Sequence, residues 1–200
     1  MIHWAGKFDG NEESLPKREH PEGYVPFKEA ENMKSFAVIA NIAAGVMILL
    51  LLGSLFLRVE SAESLIGNSF FFGMAASFLC LVPHEFLHAV WLPGESYVYT
   101  NLEQGMLFVV GTSDMTKARF IIMSLFPNIV FGLIPYILFM IFPQLTWAGT
   151  MGALSLGMGV GDYYNVINAA KQMPKGALTY LSGFHSYWYM PKEKAAEITE

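Results

Sequence analysis

The chain has 200 residues, 54% of them hydrophobic and only 14% charged, with a mean hydropathy of +0.39. That is too apolar for an ordinary soluble domain of this length. A net charge of -5 leaves no basic surface to neutralise phosphates and excludes nucleic acid as a partner, and a single cysteine, Cys80, excludes both an intrachain disulfide framework and a four-cysteine zinc module.

In chain order, the first 35 residues are polar and hold no short apolar run followed by a small-residue cleavage site, so no signal peptide is expected. Four stretches then meet the ~20 helical residues that a hydrocarbon core requires. They run from Phe36 to Leu57, Ser69 to Trp91, Phe120 to Phe142 and Trp147 to Ala170. Between the second and third, Ser96 to Thr100 and Met106 to Val110 are rich in β-formers and separated by Asn101 to Gly105, which predicts a β-hairpin. The expectation is an all-α integral membrane fold with four transmembrane helices and one small cytoplasmic hairpin. Its parts are an N-terminal segment (1–35), a four-helix membrane domain (36–170) and a C-terminal tail (171–200).

Positive flanks are retained on the cytoplasmic side of a membrane. All but Arg58 of the twelve Lys and Arg residues fall before the first stretch, between the second and third, or after the fourth, Lys194 included. Both termini and the hairpin segment are therefore expected in the cytoplasm of a multi-pass cell-membrane protein whose surrounding partner is the lipid bilayer; its oligomeric state is left open.

Ionisable groups inside membrane helices are costly and mark cavities or partners. The four stretches contain His84, Glu85, His88 and Asp162 and no other Asp, Glu, His, Lys or Arg. Three of these form His84-Glu85-Phe86-Leu87-His88, an H-E-x-x-H arrangement on a predicted helix. Positions 84 and 88 lie about 40° apart on one helix face, so both imidazoles can reach a single tetrahedral ion, while Glu85, rotated by about 100°, lies beside it. From there a carboxylate can accept the proton of a zinc-bound water. A catalytic zinc usually takes three protein ligands, and Asp162 is the leading third candidate: it lies ~12 to 14 Å before Lys171, against ~10 Å for His84 and ~5 Å for His88 before Trp91.

Other residues carry competing readings. Cys80 continues the histidine stripe, but i, i+4 and i+8 span ~12 Å of helix axis, too far for one ion. His185, among Phe184, Tyr187, Trp188 and Tyr189, is either a swing-in ligand or part of an interfacial aromatic segment, the commoner case. Gly149, Ala153, Gly157 and Gly161 form a small-residue stripe that either brings Asp162 toward the histidines or serves ordinary helix association. Pro83 predicts a bend just before the His-Glu pair. Asn128 and Asn165 offer amides to a substrate carbonyl or oxyanion, or simply link helices.

The chain resembles a family of small bacterial membrane proteins grouped under an uncharacterised domain and described as zincin peptidases, distantly similar to site-2 intramembrane metalloproteases. The resemblance is carried by Pro83-His84-Glu85-Phe86-Leu87-His88, Ser124-Leu125-Phe126-Pro127-Asn128 and Gly161-Asp162, and extends from about Pro26 to Pro191. It implies Zn2+ held by His84, His88 and Asp162, Glu85 as general base, and a peptide or membrane-protein substrate. Site-2 proteases carry the aspartate in an Asp-Gly pair, the reverse of Gly161-Asp162. In that wider group a β-element presents substrate by strand addition, a role open to the Tyr97 to Val110 hairpin. The rival readings are a metal or proton carrier and a non-catalytic zinc-binding membrane protein. The outer halves of the four stretches lack the polar groups that a carrier pathway needs.

Overall fold

A computed structural model of the protein describes residues 1–30, 33–101 and 106–192. In chain order these form strands β1 (Ile2–Lys7) and β2 (Val25–Pro26), helices α1 (Met33–Leu55), α2 (Ala62–Leu65), α3 (Asn68–Leu79) and α4 (Leu81–Trp91), and strands β3 (Ser96–Asn101), β4 (Met106–Val110) and β5 (Met115–Thr116). Helix α5 (Lys117–Asn128), a π-helical turn (Ile129–Leu133), α6 (Ile134–Ile141), α7 (Thr146–Met158) and α8 (Val160–Gln172) follow, then strands β6 (Leu178–Ser182) and β7 (His185–Tyr189). The chain divides into two compact units. One comprises Met1–Glu29, Glu85–Ser124 and the chain from Asn165 onward; the other comprises Ala30–His84 and Leu125–Tyr164.

The first unit overturns the all-α expectation, because it contains two sheets, of three and four strands. In the three-stranded sheet, β3 pairs antiparallel with β4, from Tyr97 opposite Val110 to Asn101 opposite Met106. The expected hairpin strands are thus present, although residues 102–105 of its turn lie outside the described residues, as does Lys194. The third strand, β1, lies parallel to β3, with Ile2 opposite Ser96. Parallel partners require a long crossover rather than a local turn, which is why the N-terminal strand left no hairpin-like signal.

The second sheet has the order β2-β7-β6-β5. Ser182 pairs with His185 across a two-residue Gly183-Phe184 turn, and Gly183 has φ +62°, a left-handed conformation that favours glycine. The aromatic run expected at a membrane interface is therefore mostly strand β7. Beneath lies a core of Phe27, Leu92, Met115, Phe120, Met123 and Met173. Tyr180 is fully buried, stacks on Tyr187 and lies 4.2 Å from the Arg18 guanidinium, which donates to Asp114 Oδ1 at 2.9 Å.

Burial pushes the Tyr180 phenol up to about 12, against the opposing pull of Arg18. It therefore stays protonated and shares a 2.8 Å hydrogen bond with Nδ1 of His20. A raised pKa means a contribution to stability that is whole below the unfolded value of ~10 and lost as pH rises through about 12. Ultraviolet titration is expected to show a late tyrosine component that moves to lower pH on unfolding and is smaller in Tyr180→Phe; an undiminished late component in that variant would remove this account of Tyr180.

The second unit is helical and centred on α7, which packs against α1, α3, α6 and the π-helical turn. A Cβ added at Gly73 would fall 2.4 Å from the Trp147 carbonyl oxygen, one at Gly149 2.6 Å from the Phe139 ring, and one at Gly157 2.2 Å from Ile48. Gly161 meets nothing within 4 Å. The small-residue stripe thus serves helix association around α7, the second of the two readings above.

The fourth expected span is also corrected. It divides at Gly159 into α7 and α8, and what removes it as a span is the character of the two halves. α7 is buried rather than lipid-facing, and α8 carries Asp162, Asn165, Asn168, Lys171 and Gln172. Among the described residues, three helices are long and apolar enough to cross a membrane: Ala37–Arg58, Asn68–Trp91 and Lys117–Ile141. Val38, Ile39, Ile42, Val46, Leu49 and Leu50 of the first are exposed, an apolar face of the kind that marks a membrane or protein interaction surface. The flanking cations also cap helix ends: Arg58 donates to the Met140 carbonyl at the end of α6, Lys117 to those of Ala170 in the last turn of α8 and Met173 just after it, and Arg119 to that of Trp91 closing α4.

Candidate metal centre

The site begins with helix α4. Pro83 has no N–H to offer the carbonyl of Leu79, and α3 ends at that residue. Cys80 bridges the break, its N–H bonded to the Ala76 carbonyl and its own carbonyl accepting from His84 N at 2.8 Å. α3 and α4 thus meet at Cys80, just before the His-Glu pair, and His84, Glu85 and His88 lie within the first eight residues of α4. One ligand atom each from His84, Glu85 and His88 lies within 4.8 Å of the others. That is the convergence the i, i+4 spacing predicts.

His88 is buried, and its Nδ1 lies 2.9 Å from the main-chain oxygen of Met123. A carbonyl only accepts, so Nδ1 carries the proton and the Nε2 of a neutral ring presents a lone pair. Metal-ligating histidines use this arrangement, one nitrogen tied to a carbonyl and the other directed at the ion. Sequence reasoning missed the Met123 carbonyl, since a main-chain oxygen 35 positions away leaves no side-chain signature.

Asp162 approaches the cluster at His84, with Oδ2 at 3.2 Å from Nε2. Two donors held ~2.0 to 2.2 Å from a tetrahedral zinc are themselves ~3.4 Å apart. The spacing, together with a nitrogen and oxygen donor set, therefore fits zinc. The Asp162 carboxylate is held in turn: Asn128 Nδ2 donates to the same Oδ2 at 2.7 Å.

The sequence model of a family described as "putative zincin peptidase" matches residues 77–178. The chain belongs to this family. No curated protein and no solved structure matches it. Membership in the zincin family implies a zinc cofactor and a metallopeptidase, and the matched segment contains all of His84, Glu85, His88, Asn128, Asp162 and Asn165.

Of these zincin residues, His84, Asn128 and Asp162 meet directly. Asn165 instead lines a cleft with Phe27, Glu29, Phe120, Asn168 and Ser186. His185, the swing-in alternative, is engaged at both ring nitrogens, 2.9 Å from Glu29 Oε2 and 3.4 Å from Glu12 Oε1.

Proposed function

We propose that this protein is an integral-membrane zinc metallopeptidase, similar to the site-2 proteases, that hydrolyses a peptide bond near the cytoplasmic face of the bilayer. The observation that carries the reading is the His84, Glu85 and His88 cluster, within 4.8 Å on one helix, with the His88 tautomer set by the Met123 carbonyl. Three long apolar helices support membrane embedding, and the distribution of Lys and Arg supports the cytoplasmic side.

His84, His88 and Asp162 are the residues that would hold the metal. Zinc, when bound, supplies Lewis-acid polarisation of a carbonyl and lowers the pKa of water. Glu85, beside the ligands, accepts a proton at its carboxylate and later returns it to the leaving amine. The Met123 carbonyl holds the His88 ring in one orientation throughout. Strand β4, at an edge of its sheet, offers a place for an extended substrate to add as a strand, and the Asn165 amide offers a further polar contact from its cleft.

Metal analysis of the detergent-purified protein tests the reading. The wild type and Glu85→Gln are expected to carry one zinc per chain, and His84→Ala and Asp162→Ala to lose most of it. A wild type without zinc, or an unchanged content in His84→Ala, would sink the proposal.

A further inference from the structure

We infer that Asn128 is a positioning residue for the third metal ligand: seated in the space that Gly159 leaves, its amide holds the Asp162 carboxylate toward His84. This inference rests on the metallopeptidase reading and adds a residue to it.

An amide buried as deeply as that of Asn128, 2% exposed, must satisfy its polar atoms inside the protein. A carboxylate only accepts, which orients the amide: Nδ2 donates to Asp162 Oδ2 at 2.7 Å, and Oδ1 faces the Tyr163 hydroxyl oxygen at a long 3.4 Å. The Tyr163 hydroxyl is itself 3.0 Å from the Leu156 carbonyl. Oδ2 is also the oxygen that lies 3.2 Å from His84 Nε2. One carboxylate oxygen is thus approached from two sides, and loss of the amide would remove one of them.

The backbone is shaped around this contact. Asn128 ends α5 and opens the π-helical turn at Ile129–Leu133, directly after the buried Pro127. Such turns shift the register of a helix and recur at functional sites. Opposite stands Gly159, where an added Cβ would fall 1.8 Å from Asn128 Oδ1. Glycine at the α7–α8 break is therefore a condition for the amide's placement. An amide committed to Asp162 in this way is the interhelical link of the two readings above, here made to the proposed ligand rather than to an oxyanion.

Zinc affinity, measured by chelator competition on the full-length protein in detergent, is the test. Asn128→Ala and the isosteric Asn128→Asp are expected to weaken binding by 10- to 100-fold, the usual cost of losing a group that orients a ligand. Gly159→Ala is expected to act in the same direction. In the Asp162→Ala background, Asn128→Ala should add nothing, which distinguishes action through Asp162 from general damage. Wild-type affinity in both Asn128 variants, a further loss in the double variant, or full affinity in Asp162→Ala each overturns the inference while leaving zinc binding by the protein intact. A wild type that binds no zinc overturns the metallopeptidase reading and the inference together.

Discussion

Replacing Glu85 by Gln is expected to lower peptide cleavage by about 10²- to 10⁴-fold, the range that general acid–base catalysis contributes, while the zinc content stays that of the wild type. The side chain sits next to His84 on α4, and its carboxylate lies within 4.8 Å of both histidine ligand atoms. Gln keeps the shape and loses the basic oxygen, so the loss should fall on turnover rather than on metal or fold. Cleavage of a membrane-anchored peptide in proteoliposomes, with zinc measured on the same preparation, separates the two. Equal turnover by both proteins would take the base role from Glu85. His88→Ala provides the contrast, since it removes a proposed ligand and strands the Met123 carbonyl, and both zinc and activity should fall together.

The second large effect is on stability. Gly152→Ala should destabilise the protein by about 1–3 kcal/mol or more, the range for overpacking a close-packed interior. The added Cβ would lie 2.5 Å from the Tyr136 nitrogen and 2.7 Å from the Gly132 oxygen. Both are main-chain atoms, so no side chain can rotate away and α7 itself must move. Gly161→Ala, with open space around it, should cost nothing, because alanine is the better helix former. Unfolding of the two variants in the same detergent gives the comparison directly. A Gly152→Ala protein as stable as Gly161→Ala would contradict the close approach of α7 to its neighbours.

Legibility in the sequence followed the range of the interaction. His84, Glu85 and His88 converge because helical periodicity alone aligns residues four apart, and Pro83 marked the break before them through its missing N–H. The β3 and β4 strands were readable because their pairing is local. The β6–β7 hairpin carried a similar signal, β-formers flanking Gly183, which the reading as an interfacial aromatic segment obscured. The fourth span misled because apolar content does not tell a buried helix from a lipid-facing one: α7 is apolar because it is the packed centre of its unit.

What the amino-acid order determined by itself is the helix that carries His84, Glu85 and His88, the long apolar helices and the β3–β4 hairpin, all products of contacts within a few turns of chain. Only the tertiary structure decided that β1 lies parallel to β3, that the Met123 carbonyl orients His88, and that Asn128 reaches Asp162 through the space at Gly159. These contacts join segments tens of residues apart. Their partners are chosen by packing and by the need to satisfy buried polar atoms, and no local pattern encodes that choice.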